Sequence, residues 1–158
     1  MTLTMNDIFG ARGVLARHLA GYEPRPGQQE MAEAVAVVLA DPEQASCLVV
    51  EAETGLGKTL AYLVPAVRSG RRVVVSTNTR NLQDQILQRE IPFIQQYIDP
   101  SLQALCVKGR QNYLCLYRWR QHVAAGQAKL FEGDGSERIA AWLDKTTYGD
   151  RSEMSWLA

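Results

Sequence analysis

A glycine-rich turn that joins an apolar run to a helical stretch is the strongest constraint on the fold of this chain. The turn spans residues 51–59, with the sequence EAETGLGKT; it follows the apolar residues 47–50 and precedes 60–64. Gly55 and Gly57 allow the backbone to curl so that successive N–H groups point at one anion. The start of a helix adds partial positive charge at the same place, so the pattern predicts a phosphate-binding P-loop.

The end of the turn predicts a phosphate and magnesium site. In a P-loop the lysine contacts the β- and γ-phosphates of ATP and the following hydroxyl binds Mg²⁺; Lys58 and Thr59 hold those positions and are the predicted catalytic residues. Ala52 stands where such loops usually carry their first glycine, and alanine allows the backbone fewer conformations than glycine does. A plain strand-to-helix turn is the alternative interpretation. The predicted nucleotide contacts in the turn are Glu53, Thr54, Gly55, Leu56, Gly57, Lys58 and Thr59.

Charge and composition restrict the partners of this chain. Lys and Arg total 17, as do Asp and Glu, so the formal net charge is zero and any polyanion site has to be local. No apolar run approaches the length of a membrane span, and the N-terminus lacks the features of a secretion signal, so we expect a cytoplasmic protein with no membrane partner. Cys47, Cys106 and Cys115 form no C-x-x-C pair and are expected to be reduced thiols.

Apolar residues recur at helical spacing on both sides of the glycine-rich turn. Asn6 or Asp7 is expected to cap a first helix. An apolar stripe within residues 31–39 indicates a second helix, which follows a rigid proline-containing segment. Further helices are predicted at 58–68 and 80–97, the latter with a kink or break at Pro92.

Three apolar runs predict strands of a parallel sheet. They lie at 46–50, 71–78 and 102–107, and their unbroken apolar character is typical of strands covered on both faces. Alternation with helices predicts an α/β fold of the RecA-like P-loop NTPase type, a three-layer parallel sheet with flanking helices. The polar residues 76–79 follow the second run, at the carboxyl end, where such sheets bind ligands.

The pattern changes after Arg110. Residues 111–158 hold only helical patches, at 114–125 and 138–143, and no further apolar strand. A P-loop NTPase needs one more strand that ends in an acidic residue to hold Mg²⁺ from the other side. We therefore expect residues 1–110 to be the first, incomplete part of an ATP-binding motor domain and 111–158 to be the start of a helical domain.

Four stretches together resemble the DinG-like and YoaA-like bacterial helicases, relatives of the iron–sulfur helicases of superfamily two. Residues 22–28 are similar to the segment that reads adenine, 52–59 to motif I and 76–85 to motif Ia. Residues 108–115 resemble the segment that carries the first of four cysteines that ligate a [4Fe-4S] cluster. The resemblance implies ATP and Mg²⁺ as cofactors, and the cluster in the full-length protein.

The resemblance also assigns roles to residues outside the turn. It implies that Arg25 and Gln28 contact the nucleotide, with Gln28 hydrogen-bonded to adenine, and that Cys115 is one cluster ligand in the full-length protein. The residues implied to bind DNA are Thr77, Asn78, Thr79, Asn81 and Arg110. The chain has no D-E-x-H motif and lacks the other cluster cysteines, so those parts of the family pattern are missing.

Each of these roles has a plainer alternative. Gln28 could cap backbone N–H groups of the helix that it begins, and residues 76–81 could form only a strand end and a helix cap. Cys115 could be a buried thiol. A basic and aromatic cluster could clamp single-stranded DNA or could be one face of an amphipathic helix. The cluster consists of Arg110, Tyr113, Arg118, Trp119 and Arg120.

The sequence thus predicts the N-terminal, ATP-binding segment of an ATP-dependent DNA helicase. By resemblance the full-length protein would act on single-stranded or forked DNA, moving 5′ to 3′, with replication or repair proteins as possible partners near the nucleoid. The segment alone is expected to turn over little ATP, since it has no second magnesium ligand. A small-molecule kinase and a non-catalytic module with a relic P-loop are the alternatives.

Overall fold

The fold is built from helices joined by segments without regular secondary structure. In the computed structural model, residues 3–41, 46–125, 135–154 and 156 are described. The α-helices are α1 (Met5–Phe9), α2 (Val14–His18), α3 (Pro26–Ala40), α4 (Lys58–Arg68), α5 (Arg80–Gln85), α6 (Ile91–Tyr97), α7 (Leu116–Ala124) and α8 (Gly135–Leu143). A π-helical turn occupies Ile86–Glu90, and 3₁₀ turns occupy Arg110–Asn112 and Arg151–Glu153.

The chain divides into two compact units, Met1–Cys106 and Val107–Ala158. The first unit contains α1 to α6 and the glycine-rich turn, and the second contains α7 and α8. Within the described ranges, no helix is both long and apolar enough to cross a bilayer.

The core of the first unit forms where α3 packs against α4. Ala32 of α3 is fully buried, and α4 buries almost one whole face. Helices α1, α2 and α6 close this core with side chains that are also buried. The buried apolar residues of the cluster are Ile8, Phe9, Val14, Leu15, Ala32, Leu60, Ala61, Leu63, Val64 and Ile94.

The N-terminal helix is capped by a residue other than the ones predicted. Thr4 is the N-cap: its hydroxyl accepts a hydrogen bond from the Asp7 N–H at 3.1 Å, and the Asp7 carboxylate accepts one from the Thr4 N–H at 2.7 Å. This reciprocal pair is a capping box. The expected single helix is divided into α1 and α2, because the intervening segment contains Gly10 and Gly13, which favour non-helical backbone.

The predicted parallel sheet is not confirmed. Residues 46–50, 72–77 and 102–107 have no regular secondary structure, and among the described residues none belongs to a strand. Their apolar side chains are largely exposed: Val49 is 88% exposed and Val74 is 90% exposed, although both were predicted to be buried. A parallel strand is covered only when neighbouring strands and helices lie on both of its faces, and the described residues do not cover these valines in this way.

The predicted helix at 80–97 is one helical segment with a wider turn inside it. Its winding changes at Ile86–Glu90, where the Ile91 N–H donates to the carbonyl of Ile86, five residues earlier. Pro92 follows directly and cannot donate to the carbonyl of Gln88, and its ring crowds that carbonyl. A π-turn relieves this crowding without ending the helix, so the irregularity lies just before the proline.

A buried ion pair joins two parts of the second unit that are far apart in the sequence. The Lys108 ammonium lies 2.8 Å from the Asp150 carboxylate, and the two side chains are 5% and 17% exposed. Lys108 also donates to the Ser152 hydroxyl at 3.2 Å, and an isolated antiparallel bridge joins Tyr113 to Asp150. Burial raises the pKa of Asp150, but hydrogen bonds from Lys108 and Ser152, together with the Lys108 charge, outweigh burial and lower it overall.

Replacing Asp150 tests this pair. Asp150→Asn leaves the buried Lys108 ammonium without its counter-charge, so we expect the free energy of unfolding at pH 7 to fall by about 3 kcal/mol. The pKa of Asp150 is lower in the folded state, so its stabilisation is complete above the unfolded value of about 3.9 and is lost as the pH falls through the folded value. The difference between the two proteins should shrink over that acid range, as measured by urea unfolding.

Asp144→Asn is the matched control, because Asp144 is an exposed aspartate of the same unit. It should change the unfolding free energy by no more than about 0.5 kcal/mol. A stability loss in Asp150→Asn that stayed constant from neutral to acid pH would contradict an ionised pair.

Candidate nucleotide-binding site

The glycine-rich turn has the backbone that a P-loop requires. Gly55 and Gly57 both have φ of 85°, in the left-handed region that favours glycine. Gly57 is the N-cap of α4, so Lys58 and Thr59 are the first two helical residues, as predicted. The positive φ makes any other residue strained at Gly57, and a β-carbon there would also displace the terminal amide of Gln28.

The ammonium group of Lys58 lies over the turn. It donates to the carbonyl of Ala52 at 2.9 Å and to that of Glu53 at 2.6 Å. These contacts hold the positive charge beside the backbone N–H groups of the turn. The side chains of Glu53 and Thr54 are exposed, so a ligand can reach them from solvent.

Two side chains from the segment before α3 and from its first turn hold carbonyls of the glycine-rich turn. Arg25 donates from its guanidinium to the carbonyl of Gly55, and Gln28 donates from Nε2 to the carbonyl of Gly57 at 3.0 Å. Gln28 is only 3% exposed, and its side-chain oxygen accepts from the Tyr22 hydroxyl and not from a backbone N–H at the start of α3. The helix-cap interpretation of Gln28 is therefore wrong, and its contact with adenine stays a prediction.

Tyr22 is a part of this site whose role the sequence did not predict. Its hydroxyl lies 3.0 Å from Oε1 of Gln28 and 2.7 Å from the carbonyl of Phe9. Burial raises the pKa of Tyr22, with a smaller opposing effect of the Arg25 charge, so the hydroxyl keeps its proton at neutral pH. No sequence signal pointed to this role, since a tyrosine six residues before a glutamine has no preferred partner.

Thr59, the predicted magnesium ligand, is close to Tyr62 one turn later in α4. Burial raises the pKa of Tyr62, and a hydrogen bond with the Thr59 side chain opposes this effect. Leu56 is half-buried, and a β-carbon at Gly27 would touch its side chain at 3.6 Å, so the turn also packs against the start of α3.

The predicted DNA-binding residues of motif Ia surround the start of α5. Thr79 is the N-cap, and its hydroxyl accepts from the Leu82 N–H at 3.3 Å, so the capping interpretation is confirmed. Thr77 donates to the Thr79 carbonyl at 3.3 Å. Asn78 and Asn81 are exposed, which leaves their amide groups accessible to a ligand.

Arg110 and Cys115 lie in the second unit. Cys115 is exposed and is the N-cap of α7, so the prediction of a buried thiol is wrong. A [4Fe-4S] cluster needs four thiolates, and the chain has three cysteines, two of which belong to the other unit. The residues present do not complete a ligand set, and Cys115 as one ligand stays a prediction of the resemblance. Arg110 begins a 3₁₀ turn and is exposed, which leaves it accessible to DNA.

The basic and aromatic cluster is distributed along α7 and the segment before it. Arg118 and Arg120 are exposed, and Trp119 is half-buried with its ring 6.1 Å from that of His122. The Tyr113 hydroxyl accepts a hydrogen bond from the Lys108 N–H at 2.8 Å, which gives this tyrosine a structural role. Exposed arginines on a helix fit both a clamp for single-stranded DNA and one polar face of an amphipathic helix. Both interpretations of the cluster therefore stay predictions.

A left-handed glycine pair before a helix that starts with Lys58 and Thr59 is the arrangement typical of P-loop NTPases, and it defines the class of the protein. Comparison with known proteins identifies the family within this class. The family model of the DEAD/DEAH box helicases matches residues 25–124. The chain belongs to the DEAD/DEAH box helicase family. This membership shows a P-loop NTPase fold and speaks against a small-molecule kinase.

Individual relatives agree with the family match. The chain is 39% identical over 157 residues to the ATP-dependent DNA helicase YoaA of Haemophilus influenzae. The aligned region covers 96% of this chain and 23% of that protein. It is 40% identical over 155 residues to the ATP-dependent helicase DinG of Mycobacterium tuberculosis, covering 82% of this chain and 22% of the relative. The 3'-5' exonuclease DinG of Bacillus subtilis is 33% identical over 150 residues, covering 92% and 16%.

The chain therefore resembles the YoaA and DinG helicases, as the sequence motifs predicted. It spans less than a quarter of the length of each of these relatives, at 23%, 22% and 16%. The activities in their names belong to proteins several times longer than the part matched here.

Proposed function

We propose that this chain is the nucleotide-binding part of the first motor domain of an ATP-dependent DNA helicase. The observation that carries the proposal is the P-loop geometry, in which Gly57 caps α4 and Lys58 lies over the turn, in a chain of the helicase family. The relatives named as ATP-dependent helicases support ATP as the nucleotide. Movement from 5′ to 3′ stays a prediction of the resemblance.

The chemistry assigned to the site is binding and orientation of MgATP. A phosphate chain in the turn would accept hydrogen bonds from its N–H groups, and Lys58 would exchange its carbonyl contacts for the β- and γ-phosphates. Thr59 would ligate Mg²⁺ from one side. Hydrolysis needs an acidic residue on the opposite side of the metal, so this chain alone binds nucleotide without rapid turnover.

We assign residues 1–110 to the motor domain and 111–158 to the start of a helical domain. We further propose that the apolar segments 46–50, 72–77 and 102–107 are strands of a parallel sheet. Their exposed valines and leucines support this assignment, because monomeric proteins rarely leave such residues uncovered in runs. The P-loop NTPase fold of the family supports it independently.

In the first unit, DNA binding is assigned to the residues around the start of α5. In the second unit, it is assigned separately to Arg110. Exposed amides at Asn78 and Asn81 suit phosphate oxygens, which a translocating motor can grip without reading bases. The zero net charge agrees with a local contact of this kind, since no general attraction to nucleic acid is expected.

Hydrogen exchange tests the sheet. If residues 72–77 pair as a strand, their amide protons should exchange at least about 100-fold more slowly than those of the exposed turn at Gly70 and Arg71, because exchange requires opening of the ladder. Mass spectrometry of overlapping peptides measures both rates in one sample. Equal rates in the two regions would rule out the sheet.

A double substitution tests the DNA contact. Asn78→Ala combined with Asn81→Ala should weaken binding of a fluorescent single-stranded oligonucleotide about tenfold, because each amide loses a hydrogen bond to a charged phosphate. The loss should be similar for different base sequences. Asn6→Ala, at another exposed asparagine of the same unit, is the control and should bind like the wild type. Unchanged affinity of the double variant would place the DNA elsewhere.

Lys58→Ala tests the nucleotide site. At a 100-fold excess of MgATP over its Kd, the wild-type chain should gain about 2.7 kcal/mol in unfolding free energy, which a thermal shift assay detects. Lys58→Ala should lose most of this gain, since it removes the ammonium group that would make charge-assisted hydrogen bonds to the phosphates.

Lys145→Ala removes an exposed lysine of the other unit and should keep the full thermal shift. If MgATP fails to shift the wild type at any concentration, the P-loop is a relic and the chain is a non-catalytic module. Sustained ATP hydrolysis by the chain, abolished in Lys58→Ala, would instead show that it supplies its own second magnesium ligand.

A further inference from the structure

The 3₁₀ turn that carries Arg110 has a second arginine beside it. Nη1 of Arg151 donates to the carbonyl of Gln111, the residue after Arg110, at 3.3 Å. The two residues of this hydrogen bond are 40 positions apart in the sequence, so only the tertiary fold creates the contact. Both Arg110 and Arg151 are exposed. The second unit therefore brings two accessible arginines to neighbouring positions.

Backbone pairing fixes the segment before Arg151 against the segment that follows the 3₁₀ turn. The Leu114 N–H donates to the Gly149 carbonyl at 2.9 Å, and an antiparallel bridge joins Tyr113 to Asp150. These contacts do not involve the side chain of Arg151. Removal of its guanidinium should therefore leave the two segments paired.

The carboxylates of these segments are directed towards other partners. Asp150 lies 2.8 Å from the buried Lys108 ammonium, so its charge is balanced inside the unit. Glu153 accepts a hydrogen bond from the indole N–H of Trp142 at 3.1 Å, which orients its carboxylate towards α8. Both acidic side chains are thus held by residues other than the two arginines.

The two arginines are the accessible cations of this surface. Segments 108–115 and 149–153 together carry three cations and two carboxylates, a formal charge of +1, and the third cation, Lys108, is buried. Neither Arg110 nor Arg151 forms an ion pair with another residue that the structure describes. A guanidinium donates two hydrogen bonds in a planar fork that matches the oxygens of a phosphate. Two of them at neighbouring positions suit two successive phosphates of one strand.

We propose that Arg151 is a second phosphate contact of the DNA-binding surface at Arg110, so that the two arginines bind neighbouring phosphates of a single strand. This inference rests on the DNA contact at Arg110 that is proposed above. Phosphate contacts carry no base information, so the effect of Arg151 should be the same for different base sequences.

The salt dependence of DNA binding measures how many phosphates are contacted. A fluorescent single-stranded oligonucleotide is titrated with the full chain at several salt concentrations, for the wild type, Arg110→Ala and Arg151→Ala. Loss of one phosphate contact should lower the slope of log Kd against log salt concentration by about 0.7. We expect this decrease for Arg151→Ala, with an affinity about fivefold weaker at about 0.1 M salt. An unchanged slope in Arg151→Ala, with the decrease present in Arg110→Ala, would overturn the inference.

Arg151→Lys separates the charge of this residue from its effect on the turn. Lysine keeps the cation but loses the planar fork, so the slope should stay at the wild-type value while the affinity falls by less than in Arg151→Ala. A slope that fell equally in both variants would show that the loss comes from the geometry of the turn, and would overturn the inference. Arg151→Gln removes the charge and keeps a donor, and it replaces Arg151→Ala if urea unfolding shows that variant to be unfolded.

Arg138→Ala is the matched control. Arg138 is an exposed arginine of the same unit, and its guanidinium lies over the ring of Trp156, 4.3 Å from the centroid. Its loss changes the net charge by the same amount and should leave the slope unchanged. An equal decrease in Arg138→Ala would show a general effect of net charge and overturn the inference.

The remaining outcomes separate this inference from the proposed function. If the wild type binds no oligonucleotide, the proposed DNA contact fails. If it binds and both alanine variants at Arg110 and Arg151 bind equally well, the second unit makes no contact, while the contact at the start of α5 stands. Displacement of the oligonucleotide by an oligo-glutamate of the same charge, at equal concentration, would show a general polyanion site and overturn the assignment to nucleic acid.

Discussion

The packing of α3 against α4 is the interaction on which the rest of the structure depends. Both helices contribute fully buried side chains, Ala32 from one and Ala61 and Val64 from the other. The small residue on α3 allows close approach, and the apolar face of α4 supplies the area that stabilises it. Because Gln28 lies in the first turn of α3 and Gly57 caps α4, the same packing brings these residues within hydrogen-bonding distance. The core therefore positions the candidate nucleotide site as well as the helices.

Local sequence was sufficient to predict the elements with local causes. The bounds of α4 were predicted at 58–68 and are Lys58–Arg68, because two glycines, a lysine and a threonine specify both the turn and the helix start. The capping role of Thr79 could also be predicted locally, because a threonine directly before a helical stretch is a common N-cap. Thr4 was missed although it forms a capping box with Asp7, since a threonine followed by an aspartate three residues later is a weaker form of the usual pattern.

Features that depend on distant residues could not be predicted in the same way. Val49 and Val74 lie in runs that are typical of buried strands, yet burial requires neighbours that the run itself does not encode. The partners of Gln28 and the pairing of Lys108 with Asp150, which lie far apart in the sequence, are tertiary contacts with no periodic signal. A buried Cys115 was expected on residue type alone, although the start of a short amphipathic helix is commonly exposed.

The charge of the site follows from how the turn uses its oxygen atoms. Carbonyls of Ala52, Glu53, Gly55 and Gly57 accept from the side chains of Lys58, Arg25 and Gln28. Two of these donors are cations that lie within hydrogen-bonding distance of the turn backbone, and the carboxylates of Glu51 and Glu53 in the same turn balance their formal charge. Attraction for a polyphosphate then depends on short contacts within a few ångströms, which salt screens much less than a field acting over a Debye length of about 8 Å. Arg25 and Gln28 still hold the carbonyls of Gly55 and Gly57 when Lys58 exchanges its own carbonyl contacts for phosphates, so a phosphate chain would meet a turn whose backbone is already in place.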